Sequence, residues 1–213
     1  MTEKVISTRT RQAQQRRERI LGASMELFWE KCVEDASMEE VAKRAGAGPA
    51  TVYRYFSTKI ELVIETAELY WERVARKYLE ELEDANTGYA QLEKTLDIFY
   101  KIFQDEKPFL EFLQEFDVFV KKYQISEERL TDYESGILKL KPYVTDSLER
   151  GLADNSLFFT CSVDEMYFSL MHTLLALMEK LAVGGDILSS DQEVEGQKQF
   201  QIVTELLLRG IKG

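Results

Sequence analysis

Between Gln12 and Ile211 apolar residues recur every three or four positions, and no stretch alternates apolar with polar residues as a half-buried strand does. This periodicity restricts the chain to an all-α fold. The sequence holds only three prolines, Pro49, Pro108 and Pro142, and each marks a helix start or break because proline lacks an amide hydrogen. About nine helices are expected. The first spans roughly Gln12 to Lys31, with Ile20, Leu27, Phe28 and Cys32 on one face. Ser37-Met38-Glu39-Glu40 reads as a capping box opening a short second helix, in which Ser37 and Glu40 satisfy each other's amides. Ala45-Gly46-Ala47-Gly48 makes a turn, and Pro49 sits at the first position of a two-turn third helix, where its missing hydrogen costs nothing. Ser57 is expected to cap a long fourth helix reaching about Glu83. The fifth covers Tyr89 to Gln104, and the sixth starts at Pro108. A seventh follows Ser126, kinked or broken near Lys141 by Pro142. Ser162–Glu165 is a second capping box, and its helix closes at Gly184-Gly185. Ser190–Glu193 reads as a third, opening the last helix to about Ile211.

The net charge of −11 divides unevenly. Residues 1–59 carry 11 Lys+Arg against 8 Asp+Glu, and residues 60–213 carry 16 against 30. A basic head on an acidic body steers one end of the molecule to phosphate while the body repels it. Cys32 and Cys161, 129 positions apart, offer neither a disulfide framework nor metal-knuckle spacing, and both are expected as small buried hydrophobes. With one histidine, His172, no structural zinc site is expected. No nucleophile elbow and no phosphate-cradling glycine loop appear, so the chain is read as not an enzyme, with no cofactor. No secretory leader and no uninterrupted apolar run of about 20 residues are seen, so no membrane association and a cytoplasmic location are expected.

Two short helices joined by a glycine-containing turn form a helix-turn-helix layout, whose second helix suits a DNA major groove about 12 Å wide. The stretch Ser37 to Lys59, above all Ala45-Gly46, Thr51-Val52-Tyr53-Arg54-Tyr55-Phe56 and Lys59, closely resembles the DNA-binding domain of the TetR/AcrR family of repressors. The resemblance covers about residues 12–65, and beyond them only architecture is similar. It implies a three-helix DNA-binding domain at 1–60 and a helical ligand-binding and dimerisation domain at 61–213. It also implies roles residue by residue. Ser37 heads a helix whose amides receive a phosphate. Pro49, Ala50 and Tyr53 face base edges, the first two by apolar contact such as to a thymine methyl. Thr51 and Tyr55 contact phosphates, Arg54 reaches a guanine or a phosphate, and Lys59 clamps the backbone. Val52 and Phe56 point into the core. Gly48 stands where many members of the family have Ser or Thr, so a hydroxyl contact is lost there. The basic stretch Arg9–Arg19 either compensates at the minor groove or phosphates, or is a solvated tail.

The resemblance further implies a homodimer on a palindromic double-stranded operator, with half-sites about one helical turn apart. The helix after Ser162 is apolar nearly all round, and the last helix shows two apolar faces, Phe200/Val203/Leu207 and Ile202/Leu206. Leu170, Leu174, Met178, Val203 and Leu207 are expected at the interface. An effector pocket for an unknown small molecule is expected around Phe99, Phe103, Phe112, Phe116, Tyr133 and His172, within a run where eight of the 24 aromatics fall in 25 residues. The function implied is a repressor released from its operator by that molecule. An activator, or a regulator of the same fold without an effector, is the alternative.

Overall fold

The computed structural model describes residues 8–79, 82–185 and 187–213. Among them the chain forms ten α-helices: α1 (Thr8–Glu30), α2 (Met38–Arg44), α3 (Pro49–Tyr55), α4 (Lys59–Leu79), α5 (Gly88–Asp105), α6 (Lys107–Lys122), α7 (Glu127–Leu138), α8 (Lys141–Ala153), α9 (Val163–Gly184) and α10 (Gly196–Gly210). The only extended pairing among these residues is an isolated bridge between Leu157 and Lys212. The stretch expected as one interrupted helix after Ser126 is two, α7 and α8, with Pro142 in the first turn of α8. That break raises the count from nine to ten.

Local chemistry sets most boundaries. Ser37 Oγ accepts the Glu40 amide at 3.2 Å, and the Glu40 carboxylate accepts the Ser37 amide at 2.9 Å, which completes the box at the head of α2. The same reciprocal bonds between Ser162 and Glu165 open α9. The fourth helix departs from expectation by one residue. Thr58, not Ser57, accepts the Glu61 amide, while the Glu61 carboxylate takes the Ser57 amide and hydroxyl. Ser190–Glu193 does not open the last helix. Ser189–Gln192 is a single 3-10 turn, held where Asp191 accepts the Leu188 amide, and α10 begins only at Gly196.

The chain divides into two compact units, residues 1–70 with 115–133, and residues 71–114 with 134–213. In the first, Ile20, Leu27, Val41, Val52, Phe56 and Val63 form a dry core. Ser24 and Thr66 share a buried hydroxyl contact at 2.7 Å within it. In the second, Leu92, Leu96, Leu148, Leu170, Leu174 and Phe200 are buried together, and Trp71 meets Phe109 edge-on at 4.9 Å. Here α5 and α8 touch backbone to backbone. A Cβ on Gly88 would lie 2.0 Å from the Gly151 nitrogen. The first amides of α5 are capped across this contact, Gly88 by the Asp154 carboxylate and Tyr89 by the Ser156 hydroxyl. Helix α9 is long and apolar enough to cross a membrane by length and composition alone. Its stripe of Tyr167, Leu170, Leu174 and Met178 is instead buried in the second unit. Both cysteines are exposed, contrary to expectation, because neither falls on the inward stripe of its segment.

Candidate nucleic-acid interface

The turn between α2 and α3 is fixed by its backbone. Ala47 donates to the Ala42 carbonyl at 2.9 Å and Gly46 to the Lys43 carbonyl at 3.2 Å, the bond pattern that ends a helix with a left-handed residue. That residue is Gly46, at φ +60°, where a side chain is strained. Gly48 in extended conformation then leads into Pro49. The seven residues of α3 are consequently held in one rotation. Val52 and Phe56, which follows it directly, are fully buried, while Pro49, Ala50, Tyr53 and Arg54 are exposed and Thr51 and Tyr55 half-buried.

The outer surface so produced has a defined chemistry. Tyr53 leaves 45% of its area open. The hydroxyls of Thr51, Tyr53 and Tyr55 have no partner among the described residues, and the Arg54 guanidinium lies 5.6 Å from the Tyr55 ring centroid. Pro49 and Ala50 add an apolar edge. A surface with free hydroxyl donors, one guanidinium and a small apolar corner matches the mixed donors, acceptors and methyl groups of a major groove. The cations Arg11, Arg16 and Arg19 on α1 and Lys43 on α2 are exposed and have no ion-pair partner among the described residues. Arg17 is engaged instead with Glu65, whose carboxyl is pushed up by burial despite the pairing. The stretch expected as a free basic arm is helical from Thr8 onward, and the Arg9 side chain lies outside the described residues.

Ser37 and Lys59 are already occupied. The Ser37 hydroxyl both donates to and accepts from Glu40, so only backbone amides at that helix start remain for a phosphate. Lys31 and Ser37 hold the Glu40 carboxyl down at about 2. Lys59 donates to the Glu34 carbonyl at 2.8 Å, and burial lowers its ammonium from the usual range. Glu34 is a junction that sequence reading missed. Lys122 pairs with its carboxylate at 3.1 Å, Tyr123 donates to it at 3.1 Å, and Glu115 accepts the Val33 amide at 2.8 Å. Nothing in the spacing of these residues announces the junction, because it joins positions more than 80 apart.

The residues expected to line an effector pocket are not brought together. Phe99 lines a small apolar cavity with Val74, Tyr78, Ile102, Tyr143 and Val144, of only about 10 Å³, room for about one water. The Tyr78 hydroxyl donates to Asp105 and Glu106, and burial pushes its pKa up to about 12. Phe103 stacks on Phe200 with centroids 5.6 Å apart, and Phe112 is buried in the second unit. Phe116 packs on Tyr133 in the first unit, 4.6 Å between centroids. His172 is exposed on α9 beside Phe168, 5.7 Å away, and is not among the residues that line the cavity beside Phe99. The interface expectation needs a similar correction. Leu170, Leu174 and Met178 are at most 3% exposed within a single chain, so they are core. Val203 and Leu207 are half-buried. The open apolar positions of these helices are Phe168 on α9 and Ile202 and Leu206 on α10, the last 63% exposed.

Residues 20–66 match the family model of bacterial regulatory proteins, tetR family. An HTH-type transcriptional regulator of Staphylococcus aureus is 28% identical over 102 residues, which are 48% of this chain and 55% of that protein. The chain therefore spans about half the length of the curated relatives it matches. Among solved structures, a TetR transcription regulator from Haloarcula marismortui superposes with a TM-score of 0.76 at 15% identity, covering 94% of this chain and 100% of that one. FadR from Bacillus subtilis, solved in complex with stearoyl-CoA, gives 0.70 at 17% identity, covering 91% and 98%.

Proposed function

We propose that the chain is a member of the tetR family of bacterial regulatory proteins, whose model its residues 20–66 match, and that it is a homodimeric repressor that reads a palindromic operator with α3 and leaves it when a small molecule enters the second unit. One observation supports the DNA reading above the others. The outward face of α3, Pro49, Ala50, Tyr53 and Arg54, is free of internal partners other than the ring beneath Arg54, while Val52 and Phe56 fix its rotation. In this reading Tyr53, Arg54 and the apolar corner meet bases. Thr51, Tyr55, Lys59 and the amides after Ser37 meet phosphates, and Arg11, Arg16 and Arg19 add to the field that draws the duplex in.

Two copies are needed because one seven-residue helix discriminates weakly. The exposed Phe168, Ile202 and Leu206 support pairing through α9 and α10, since apolar side chains of this size gain by leaving water. The effector step is supported by the cavity beside Phe99 and Tyr78 and by FadR, which binds stearoyl-CoA on the same fold. In this reading a molecule larger than one water enters by displacing side chains, and it releases the operator by binding the displaced conformation more tightly.

The experiment is selection of bound duplexes from a random pool, followed by binding measured against salt. The expected result is a palindrome with half-sites about one helical turn apart. Its affinity falls steeply with ionic strength and is lost in a Tyr55→Phe/Lys59→Ala variant that still folds. No salt-sensitive preference for any palindrome would overturn the reading. Leu206→Asp should sediment as a monomer and lose palindrome binding while retaining its helix content.

A further inference from the structure

A groove of about 560 Å³ runs between α5 and α10, within the roughly 300–1,000 Å³ of small-molecule sites. It lies wholly in the second unit and is separate from the cavity beside Phe99. Tyr89, Glu93, Asp97 and Tyr100 follow one another along one face of α5, at steps of four, four and three residues. Near the end of this face the Tyr100 ring stacks on Phe200, with centroids 6.0 Å apart. At its start the Lys212 ammonium stands 5.0 Å from the centroid of the Tyr89 ring. Buried Leu96 and Leu208 make an apolar floor. Beside them the Thr204 hydroxyl is buried with no hydrogen-bond partner among the described residues.

The charges are lopsided. Glu205 is engaged by Arg209 four residues on. Glu93 and Asp97 have no ion-pair partner among the described residues, and Lys212 is turned onto a ring. Burial, and after it the Glu93 charge, push the Tyr89 hydroxyl up. An anion would face these carboxylates, and a neutral ligand would leave them unanswered. An organic cation satisfies both the carboxylates and the ring faces.

The geometry points to a binding site for a small aryl-bearing ammonium in the groove between α5 and α10. The ammonium lies against the Tyr89 ring beside Glu93, with Asp97 one turn further along α5, and the aryl group rests on Leu96 and Leu208. Lys212 is the cation that occupies the ring until a ligand displaces it, so binding is weak and competitive with that side chain. The site does not depend on the repressor reading, since no operator enters it.

The test titrates the full chain with benzyltrimethylammonium, following tyrosine ring resonances and heat, with phenylacetate as the opposite-charge control. The expected dissociation constant is on the order of 0.1–1 mM. Lys212→Met, which clears the ring, should tighten binding by about twofold to fivefold. Glu93→Gln/Asp97→Asn should weaken it by about tenfold or more, with unchanged thermal melting to show that the variant folds. Four results would overturn the site: no binding at tens of millimolar, equal binding of phenylacetate, indifference to both sets of substitutions, or shifts confined to Tyr143 and Phe99 at the interior cavity.

Discussion

Helix α3 has seven residues and buries one of them, Val52, whereas α9 has twenty-two and buries six. The short helix is the better specified of the two. On α3 the one inward residue is apolar and no polar residue is buried, so its rotation follows from the order of residue types, and Phe56 at its end adds a second anchor. On α9 apolar side chains point both ways. Tyr167, Leu170, Leu174 and Met178 go inward, and Phe168 stays outside at 42% exposure. Contrast between faces, rather than hydrophobic content, is what orients a helix.

The largest effects should come from the anchors. Phe56→Ala is expected to destabilise by about 3–5 kcal/mol and Leu174→Ala by about 2–5 kcal/mol, read by chemical denaturation. Phe168→Ala, made in the monomeric Leu206→Asp background, should cost no more than about 0.5 kcal/mol. A cost equal to that of Leu174→Ala would abolish the distinction between the two faces of α9. On α3 the outward residues should behave oppositely to the anchors. Tyr53→Phe or Arg54→Ala is expected to leave the melting temperature unchanged and to weaken operator binding by about 1–3 kcal/mol. A fall in stability instead would mean that the outer face is structural. Gly46→Ala, at its left-handed position, should cost about 1–2 kcal/mol. Ser37→Ala, which removes the cap of α2, should cost about 1 kcal/mol.

The smallest effect is a pH dependence. The Glu40 carboxyl is held at about 2, below its ordinary 4.5, by Lys31 and Ser37. A depressed folded value gives stability that is complete above the ordinary value and lost as pH falls toward 2. Helix content followed by circular dichroism should decline through that window, and Glu40→Gln should flatten the portion due to this cap.

What could be read from the sequence follows the same logic. The boxes at Ser37 and Ser162 were legible because their hydrogen bonds close within four residues. Ser190–Glu193 carries the same letters but makes a 3-10 turn, since the apolar stripe that a helix needs begins only with Phe200. The inward path of Leu170, Leu174 and Met178 was not legible, because α9 lacks the polar contrast that picks out a face. The aromatic run from Phe99 to Tyr123 suggested one pocket, but two helices and two units divide it, so Phe103, Phe116 and His172 have separate surroundings. The Glu34 junction and the groove beside Tyr89 join distant parts of the chain, which no local pattern encodes.

The meeting of Gly88 and Gly151 has a mechanical consequence. Helices separated by side chains slide by repacking them, but two main chains in direct contact cannot pass one another. Relative motion of α5 and α8 is thereby reduced to tilting about that point. Helix α5 extends from it for eighteen residues, about 27 Å, so a rotation of a few degrees at the fulcrum becomes a displacement of an ångström or more beside Tyr100 and Phe103. A bulkier residue at Gly88 would jam the lever at its bearing.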